Sequence, residues 1–184
     1  SPYPSPIKSV SIRIKRPEKV VDKIFRKPNE YPDGLSIKSF LKMDDRIGVR
    51  IIIYFLSQFP FIDREFRRSD LFEFSKTSNP EAYMDKDQLK RFGLAGVDHK
   101  HKDSGYMSIH YLIWLSKISI PIDKRPWFEV QVRTLAQEFW SEMEHVLAYK
   151  SEKRTNLTAK RRFQILSKEI NAIDEHFNLL YEEL

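Results

Sequence analysis

The sequence contains no cysteine, which excludes disulfide bonds, thiolate metal ligands and the usual structural zinc patterns. It also lacks any run of about eighteen apolar residues, so we expect no membrane-spanning segment. The longest central apolar run, residues 51–56, has the length of a strand. The opening residues do not resemble a secretory signal peptide, and we therefore expect a cytoplasmic protein.

Two common phosphate-binding sequences, the GxxxxGK[ST] loop and the GxGxxG loop, are also absent. Positive charge, in contrast, is in excess, with 32 Lys or Arg against 26 Asp or Glu and a net charge of +6. This balance favours a polyanionic ligand such as a nucleotide, a nucleic acid or an anionic surface. The 184 residues predict one main domain, and the 41% hydrophobic content is enough for one core.

Apolar runs predict the strands of one mixed sheet. Residues 10–15 alternate between apolar and polar, so Val10, Ile12 and Ile14 are expected to point into the core, with Arg13 and Lys15 on the other face. Residues 45–55 are apolar enough for a central strand. Further strands are predicted at residues 71–74, 106–117 and 127–133.

Helical spacing and capping residues predict helices between these strands. Pro17 suits the first turn of a helix, and Thr134 is a good helix cap. In the last helix, apolar residues recur at helical spacing from Phe163 to Leu180. The predicted helices cover residues 17–27, 57–70, 80–92, 134–150 and 155–183, with loops at residues 28–36 and 93–105.

The predicted fold class is therefore α+β, with a mixed sheet of about five strands flanked by helices. We expect an extended segment or linker at residues 1–9 and a domain at residues 10–150. Residues 151–184 are expected to form a helix that packs on this domain or mediates oligomerisation.

Charged residues lie on the predicted strands or at their ends, where a rigid sheet would aim them at one ligand. Asp45 and Glu129 belong to two separate strands and would converge if those strands are close. Phosphoryl transfer needs positioning, a divalent metal and cations, and Mg²⁺ prefers one or two carboxylates plus phosphate oxygens. The candidate phosphate-binding cations are Arg13, Lys15, Arg50 and Arg133 on strands, and Lys23 on the first helix.

An ordinary solvated sheet face explains part of this pattern equally well. The stripe of Glu129, Gln131 and Arg133 lies opposite an apolar stripe, as in many half-exposed strands. On one strand alone, a solvated face and the floor of a ligand cleft both remain open.

Five segments, in order, resemble the synthetase domain of the RelA/SpoT family, which makes the alarmone (p)ppGpp. Residues 45–50 resemble its strand motif of Asp, two apolar residues, Gly, an apolar residue and Arg. Residues 105–110 resemble its Gly-Tyr-x-Ser-Leu/Ile-His motif, and residues 129–134 its Glu-x-Gln-x-Arg-Thr motif. Residues 139–150 resemble its Trp-x-x-x-x-His-x-x-x-Tyr-Lys ending, and residues 12–23 its opening Arg-x-Lys…Lys element.

The resemblance implies a nucleotidyltransferase-like synthetase fold and a magnesium-dependent pyrophosphokinase that uses ATP. Asp45 would bind Mg²⁺, and Glu129 would position or deprotonate the acceptor 3′-hydroxyl and share the metal. Tyr106 would stack on the acceptor base through a free ring face. The donor ATP would be bound by Arg13, Lys15, Lys23 and Arg50, with Lys100 or Lys102 as substitutes for a missing phosphate lysine. The acceptor would contact Tyr106, Ser108, His110, Gln131, Arg133 and His145.

Several of these positions have a simpler interpretation or depart from the family pattern. His110 and His145 are equally consistent with packed structural histidines, and Trp140 is interpreted as core. Arg46 occupies a position that is usually apolar. Residues 97–104 lack the Lys-Asp-Tyr-Ile and Pro-Lys sequences of typical alarmone synthetases, which leaves donor handling and acceptor identity open.

Three functions are therefore weighed. The first is a small alarmone synthetase that acts on GDP or GTP. The second is a toxic relative that pyrophosphorylates adenosine nucleotides or the 3′ end of tRNA, delivered to a target cell or held by an antitoxin or immunity protein. The third is an inactive nucleotide- or RNA-binding module. The basic residues 150–162 motivate tRNA as a partner, although a solvated helix face also explains them. A second copy of the chain is a further possible partner.

Overall fold

The computed structural model describes residues 5–75, 78–102, 104–121, 124–151 and 157–184, leaving out the side chains of residues 148–151 and 160. Within these ranges, one mixed sheet has the strand order β1-β2-β7-β6-β4-β5, and β3 pairs with β6. This confirms the predicted fold class, although the sheet has seven strands rather than about five. The strands are β1 (Ile7–Ile14), β2 (Ile47–Ile53), β3 (Phe72–Phe74), β4 (Glu81–Tyr83), β5 (Asp98–Lys100), β6 (Ser108–Leu115) and β7 (Phe128–Thr134).

Strand β7 is central, with β2 on one side and β6 on the other. It runs parallel to β2, with Gly48 opposite Glu129, and antiparallel to β6, with Leu112 opposite Glu129. Strands β4 and β5 are also parallel, whereas β1 pairs antiparallel with β2 at the sheet edge. This register places Glu129 in the middle of the sheet, where its neighbours on both sides are fixed.

Six helices surround the sheet in the described part of the chain. Pro17 begins the first, and the Thr134 hydroxyl accepts a hydrogen bond from the Gln137 amide at the start of the fifth, so both predicted starts are confirmed. The helices are α1 (Pro17–Arg26), α2 (Ile37–Lys42), α3 (Phe59–Arg68), α4 (Lys86–Arg91), α5 (Leu135–Ser151) and α6 (Leu157–Glu183). None of them combines the length and the apolar character needed to cross a membrane.

The predicted helix over residues 80–92 is wrong in its first half. Residues 81–83 form β4, and only residues 86–91 are helical. Ala82 is fully buried opposite Ile109 of β6, so pairing with a long neighbouring strand outweighs the weak local helix preference. The predicted loop that follows contains β5, which pairs with β4, and the short helix α2 was not predicted.

The main core lies between α3 and one face of the sheet. Phe59, Ile62 and Phe66 recur at helical spacing on α3 and pack on sheet residues such as Ile53 and Val132. Each fully buried side chain of this size contributes ~1.5–3 kcal/mol to stability. The opposite face of the sheet is left for polar side chains.

The expected burial of the apolar side chains of β1 is wrong. Val10, Ile12 and Ile14 are 55%, 72% and 75% exposed. They do point to the side opposite Arg13, because Ile12 pairs with Val49 and Arg13 with Gly48. Since β1 is an edge strand and the main core forms on the more central strands, they are left uncovered.

Helix α6 packs on the rest of the domain through polar side chains rather than through its apolar stripe. Ser167, Asp174 and Asn178 are buried. The apolar residues that predicted this helix are partly or largely exposed, and four of them, Leu166, Ile173, Phe177 and Leu180, are 47–55% exposed. The helix is confirmed, but the face that its spacing pointed to is directed away from the domain.

Candidate active site

Asp45 and Glu129 line one cavity of about 370 Å³. Asp45 lies in a short 3-10 turn directly before β2, and Glu129 is the second residue of β7. Because β2 and β7 are parallel and in register, both carboxylates come from the same end of the two strands. Lys23, Tyr83 and His110 line the same cavity.

Two lysines bind the Asp45 carboxylate. Lys15 contacts one oxygen, and Lys23 Nζ donates to the other at 2.8 Å. Partial burial opposes ionisation of Asp45, but the two ammonium groups outweigh it and hold the pKa of Asp45 below its ordinary value. Burial likewise opposes the charge on Lys23, while Asp45 raises the pKa of this lysine above its ordinary value. Lys15 and Lys23, expected at the ATP phosphates, therefore contact the proposed metal ligand.

Glu129 lies between two cavities. Besides the first cavity, it lines a second one of about 250 Å³ with Arg13, Arg50 and Gln131. Burial opposes ionisation of Glu129, but His110 Nδ1, 3.2 Å from its carboxylate, outweighs burial and lowers the pKa of Glu129. The carboxylate is thus ionised at neutral pH and open to ligands on two sides.

A chain of hydrogen bonds leads from His110 into the protein. His110 Nε2 lies 2.9 Å from the Tyr106 hydroxyl, which accepts a hydrogen bond from Arg133 Nη2 at 3.0 Å. Arg133 is 2% exposed and also donates to Gln131 and Glu138, at 2.5 and 3.1 Å. Arg133 was expected to line the acceptor pocket, but it lines neither cavity and instead holds the side chains around it.

Ser108 is a second predicted acceptor contact that is buried. It is fully buried at the start of β6, where its hydroxyl donates to the Val132 carbonyl at 3.0 Å. The alternation of β6 puts Ser108 on the same face of the sheet as His110, but the backbone of β7 occupies its hydroxyl. Ser108 therefore joins two strands, and its contact with the acceptor stays a prediction.

The free ring face expected for Tyr106 is not observed. Lys102 Nζ lies 3.9 Å from the ring centroid, and the Arg133 guanidinium lies 5.1 Å from it. The Tyr83 ring packs edge-on at 5.8 Å between centroids, and Lys102 is also 4.8 Å from the Tyr83 ring. Lys102, expected at the donor phosphates, thus sits on an aromatic pair through cation–π contacts.

The remaining predicted cations divide into paired and unpaired groups. Arg50 donates to Glu138 at 2.6 Å and to Glu142 at 2.9 Å, on the wall of the second cavity. Lys100 pairs with Glu81 at 3.4 Å on the surface and lines neither cavity. Arg13 is exposed in the second cavity and pairs with no carboxylate of the described residues.

Two further predicted positions lie away from both cavities. His145 is exposed on α5 and lines neither of them, so it gains no support as an acceptor contact. Arg46 donates to the Met43 carbonyl and stacks on the Phe40 ring, 5.1 Å from its centroid.

Trp140 is 4% exposed, which confirms it as core. Tyr149 and the basic side chains of Lys150, Lys153, Arg154 and Lys160 lie outside the described residues.

Sequence reasoning missed the cavity residues on β4 and the acidic partner of the two arginines. Tyr83 and Glu81 line the first cavity, and burial and the 2.8 Å hydrogen bond to Glu81 raise the pKa of Tyr83. The alternation Glu81–Ala82–Tyr83 after a proline was the available signal for this strand. Glu138 pairs with both Arg50 and Arg133. Its position one turn into α5, directly after β7, was the available signal that it lies near the site.

The two carboxylates fit the chemistry of a magnesium nucleotide site. Mg²⁺ takes one or two protein carboxylates and completes its shell with phosphate oxygens and water. Among the described residues, no group of three or more His, Asp or Glu is arranged to hold a metal ion by itself. Asp45 and Glu129 would be the protein ligands of such a metal, with phosphate oxygens and water as the others.

Comparison with known proteins gives one consistent relationship. A family profile described as the region found in RelA / SpoT proteins matches residues 12–154. The GTP pyrophosphokinase YjbM of Bacillus subtilis (strain 168) is 26% identical over 181 residues, covering 98% of this chain and 74% of YjbM. The GTP pyrophosphokinase YwaC of the same strain is 27% identical over 150 residues, covering 79% of this chain and 60% of YwaC.

A solved structure extends the similarity to the whole fold. The small alarmone synthetase 1 from Bacillus subtilis, bound to its product pppGpp, superposes with a TM-score of 0.76 at 26% identity. The match covers 98% of this chain and 81% of that chain. It therefore extends over nearly the whole chain.

Proposed function

The chain belongs to the RelA/SpoT family, and from this premise we propose that it is a pyrophosphokinase that makes (p)ppGpp. The 3′-oxygen of GDP or GTP forms a bond to the β-phosphorus of ATP, the bond between that phosphorus and the oxygen bridging to the α-phosphate breaks, and AMP leaves. The hydroxyl proton is released. The relatives, which are GTP pyrophosphokinases, and the pppGpp-bound neighbour support a guanosine acceptor.

The observation that carries the proposal is the meeting of Asp45 and Glu129 in one cavity with Lys23. A purely nucleic-acid-binding surface gains nothing from two ionised carboxylates, which repel phosphates. Phosphoryl transfer needs both signs of charge, since carboxylates hold the metal and orient the nucleophile while cations bind the phosphates. The cavity supplies both, with Asp45 just before β2, Glu129 on β7 and Lys23 on α1.

Glu129 is suited to orienting the acceptor hydroxyl more than to storing its proton. Its lowered pKa keeps it ionised at neutral pH, so it accepts a hydrogen bond from the 3′-hydroxyl. A general base works best when its pKa lies near the operating pH, which is not the case here. His110 holds the carboxylate from one side and leaves the cavities open to ligand on the others.

The donor side follows from the cations around the same strands. Arg13 and Arg50 line the second cavity, and Lys15 and Lys23 lie at Asp45 between the sheet and α1. Asp45, with Glu129, would hold Mg²⁺, which would neutralise charge on the transferred group. Tyr106 and Tyr83 present the aromatic surface on which an acceptor base would stack once Lys102 moves off the rings.

The test is transfer of labelled β- and γ-phosphate from ATP to an acceptor, resolved by thin-layer chromatography in the presence of Mg²⁺. Glu129→Gln should reduce transfer by ~10²-fold, because the acceptor hydroxyl loses the carboxylate that orients it, with little change in ATP affinity. Glu169→Gln, an exposed glutamate on α6, is the matched control and should retain activity. Near-normal transfer by Glu129→Gln would show that the assignment of Glu129 is wrong.

The choice of acceptor separates this function from the alternatives. GDP, GTP, ADP, ATP and deacylated tRNA are offered in turn at equal concentration. Transfer to GDP or GTP supports the proposed reaction, while preference for an adenosine nucleotide or for tRNA assigns the chain to the toxic type. Absence of transfer to every acceptor, with binding retained, leaves a binding module.

A further inference from the structure

The turn that carries Tyr106 has a backbone that only glycine accommodates well. Gly105 has φ +78°, in the left-handed region, and its amide donates to the Lys102 carbonyl at 3.0 Å. A Cβ at position 105 would lie 2.1 Å from Ser167 Oγ and 2.5 Å from Ser167 Cβ. The turn is therefore pressed against α6 as well as sharply bent.

Ser167 uses this close approach to make a hydrogen bond. Its hydroxyl donates to the Gly105 carbonyl at 2.7 Å, and the residue is 2% exposed. A buried hydroxyl that serves only as filler is rare, because loss of its bonds to water must be compensated. Ser167 thus fixes the carbonyl of the peptide unit that leads directly into Tyr106.

Helix α6 is itself held firmly, so this contact is anchored at both ends. Asp174 accepts a hydrogen bond from the Thr134 hydroxyl at 2.6 Å, and Asn178 accepts one from the Ser57 amide at 2.7 Å. Near the end of the helix, the Tyr181 ring stacks on Phe55 with 4.2 Å between centroids. Because α6 is held in place, a shift of the turn would break the hydrogen bond between Ser167 and Gly105.

We infer that Ser167 is a positioning residue of the acceptor site, through which α6 sets the place of Tyr106. The family profile ends at residue 154, so this residue lies outside the matched region. Tyr106 in turn touches His110, which holds Glu129, so a displaced turn disturbs acceptor binding first. The inference deepens the proposed function and rests on it only for its kinetic readout.

The kinetic test compares Ser167→Ala with Asn178→Ala, each of which removes one buried hydrogen bond between α6 and the domain. Ser167→Ala should raise the acceptor KM about five- to thirtyfold, the factor expected for one such bond, with the KM for ATP nearly unchanged. Asn178→Ala should lower the unfolding midpoint about as much as Ser167→Ala does, but it should not raise the acceptor KM selectively. Equal changes of all kinetic constants in both variants would overturn the inference.

Hydrogen exchange at the amides of residues 105–107 provides a readout that does not require activity. Exchange there should be faster in Ser167→Ala and unchanged in Asn178→Ala. Unchanged exchange in Ser167→Ala would overturn the inference even if the enzyme is active. If the wild-type protein transfers no pyrophosphate, the proposed function fails, while the exchange result still decides the role of Ser167. Should Ser167→Ala not fold, Ser167→Cys weakens the donor with a slightly larger side chain, and the same outcomes apply.

Discussion

At the scale of single residues, the ionisation of Glu129 depends on one neighbour. Burial alone would raise its pKa, and the contact with His110 reverses the sign of the shift. The same histidine touches Tyr106, so one imidazole joins the carboxylate and the aromatic surface of the site. A histidine that the sequence left ambiguous is thereby placed within the site.

His110→Ala should move the acidic limb of the pH profile of kcat/KM to higher pH. The substitution removes the group that lowers the pKa of Glu129 but leaves the carboxylate half-buried, so its pKa rises. The measurement is initial rate against pH with subsaturating acceptor. His176→Ala, an exposed histidine on α6, is the control and should leave the limb in place. A limb that stays fixed or moves to lower pH in His110→Ala would contradict this account of Glu129.

The sequence predicted which carboxylates meet but not which polar residues stay below the surface. Asp45 and Glu129 lie near the start of two apolar runs. The motifs can form one site only if these runs are neighbouring strands, which predicts that the two carboxylates meet. Arg133 and Ser108 share the same motifs but are buried, because the hydrogen bonds that occupy them come from β7 and from Glu138 on α5. Such partners are set by tertiary packing, which single-strand alternation does not encode.

At the scale of elements, the long periodic runs and the short strand expected at residues 71–74 were predicted well, whereas β4, β5 and α2 were not. Strands β2, β6 and β7 and helices α1, α3, α5 and α6 agree with their patterns within a few residues. The three-residue strand β4 forms because β6 offers an edge for pairing, and β5 in turn pairs with β4. For β1 and α6 the element is right but its apolar face is exposed, since periodicity identifies a face without showing what covers it.

The docking of α6 should weaken as pH rises through the titration of Asp174. Burial, opposed in part by the Thr134 hydrogen bond, raises the pKa of Asp174 to about 6, from an ordinary value near 4. The folded state therefore binds this proton more tightly than the unfolded chain, so this contribution to stability falls between about pH 4 and pH 6. The loss is on the order of 3 kcal/mol.

Asp174→Asn tests this dependence. The difference in unfolding free energy between variant and wild type, from urea titrations, should grow in favour of the variant by on the order of 2–3 kcal/mol between pH 4 and pH 7. Taking the difference cancels the opposite contributions of groups such as Asp45, whose pKa is lowered. A difference that does not vary with pH would show that Asp174 is not protonated preferentially in the folded state.

At the scale of the whole molecule, the positive net charge is only partly available to ligands. Of the cations expected at the phosphates, Lys15, Lys23 and Arg50 are paired with carboxylates, and Arg13 is unpaired within the described chain. The net charge of +6 nevertheless gives a field that attracts polyanions over a Debye length. Association of α6 with a second copy of the chain stays a prediction.

The KM for ATP should therefore rise with ionic strength, by roughly three- to tenfold between about 0.1 M and about 1 M salt. The cause is screening of the net positive field and of the exposed Arg13. The measurement is KM for ATP at a fixed excess of Mg²⁺, with the unfolding midpoint recorded at each salt concentration as a control. A KM that does not change while the protein stays folded would argue against electrostatic attraction of the donor.

The two ion pairs that Lys15 and Lys23 form with Asp45 influence which ligands can bind to the ligand-free protein. If a free phosphate binds the two lysines, the half-buried Asp45 carboxylate is left without a counter-ion. If a free metal ion binds Asp45, the two ammonium groups are left without a counter-ion. A magnesium nucleotide satisfies both sides at once, because it exchanges partners instead of removing them. On the proposed function, free phosphate and free metal are each poor competitors, and the ion-paired resting arrangement selects for the intact complex.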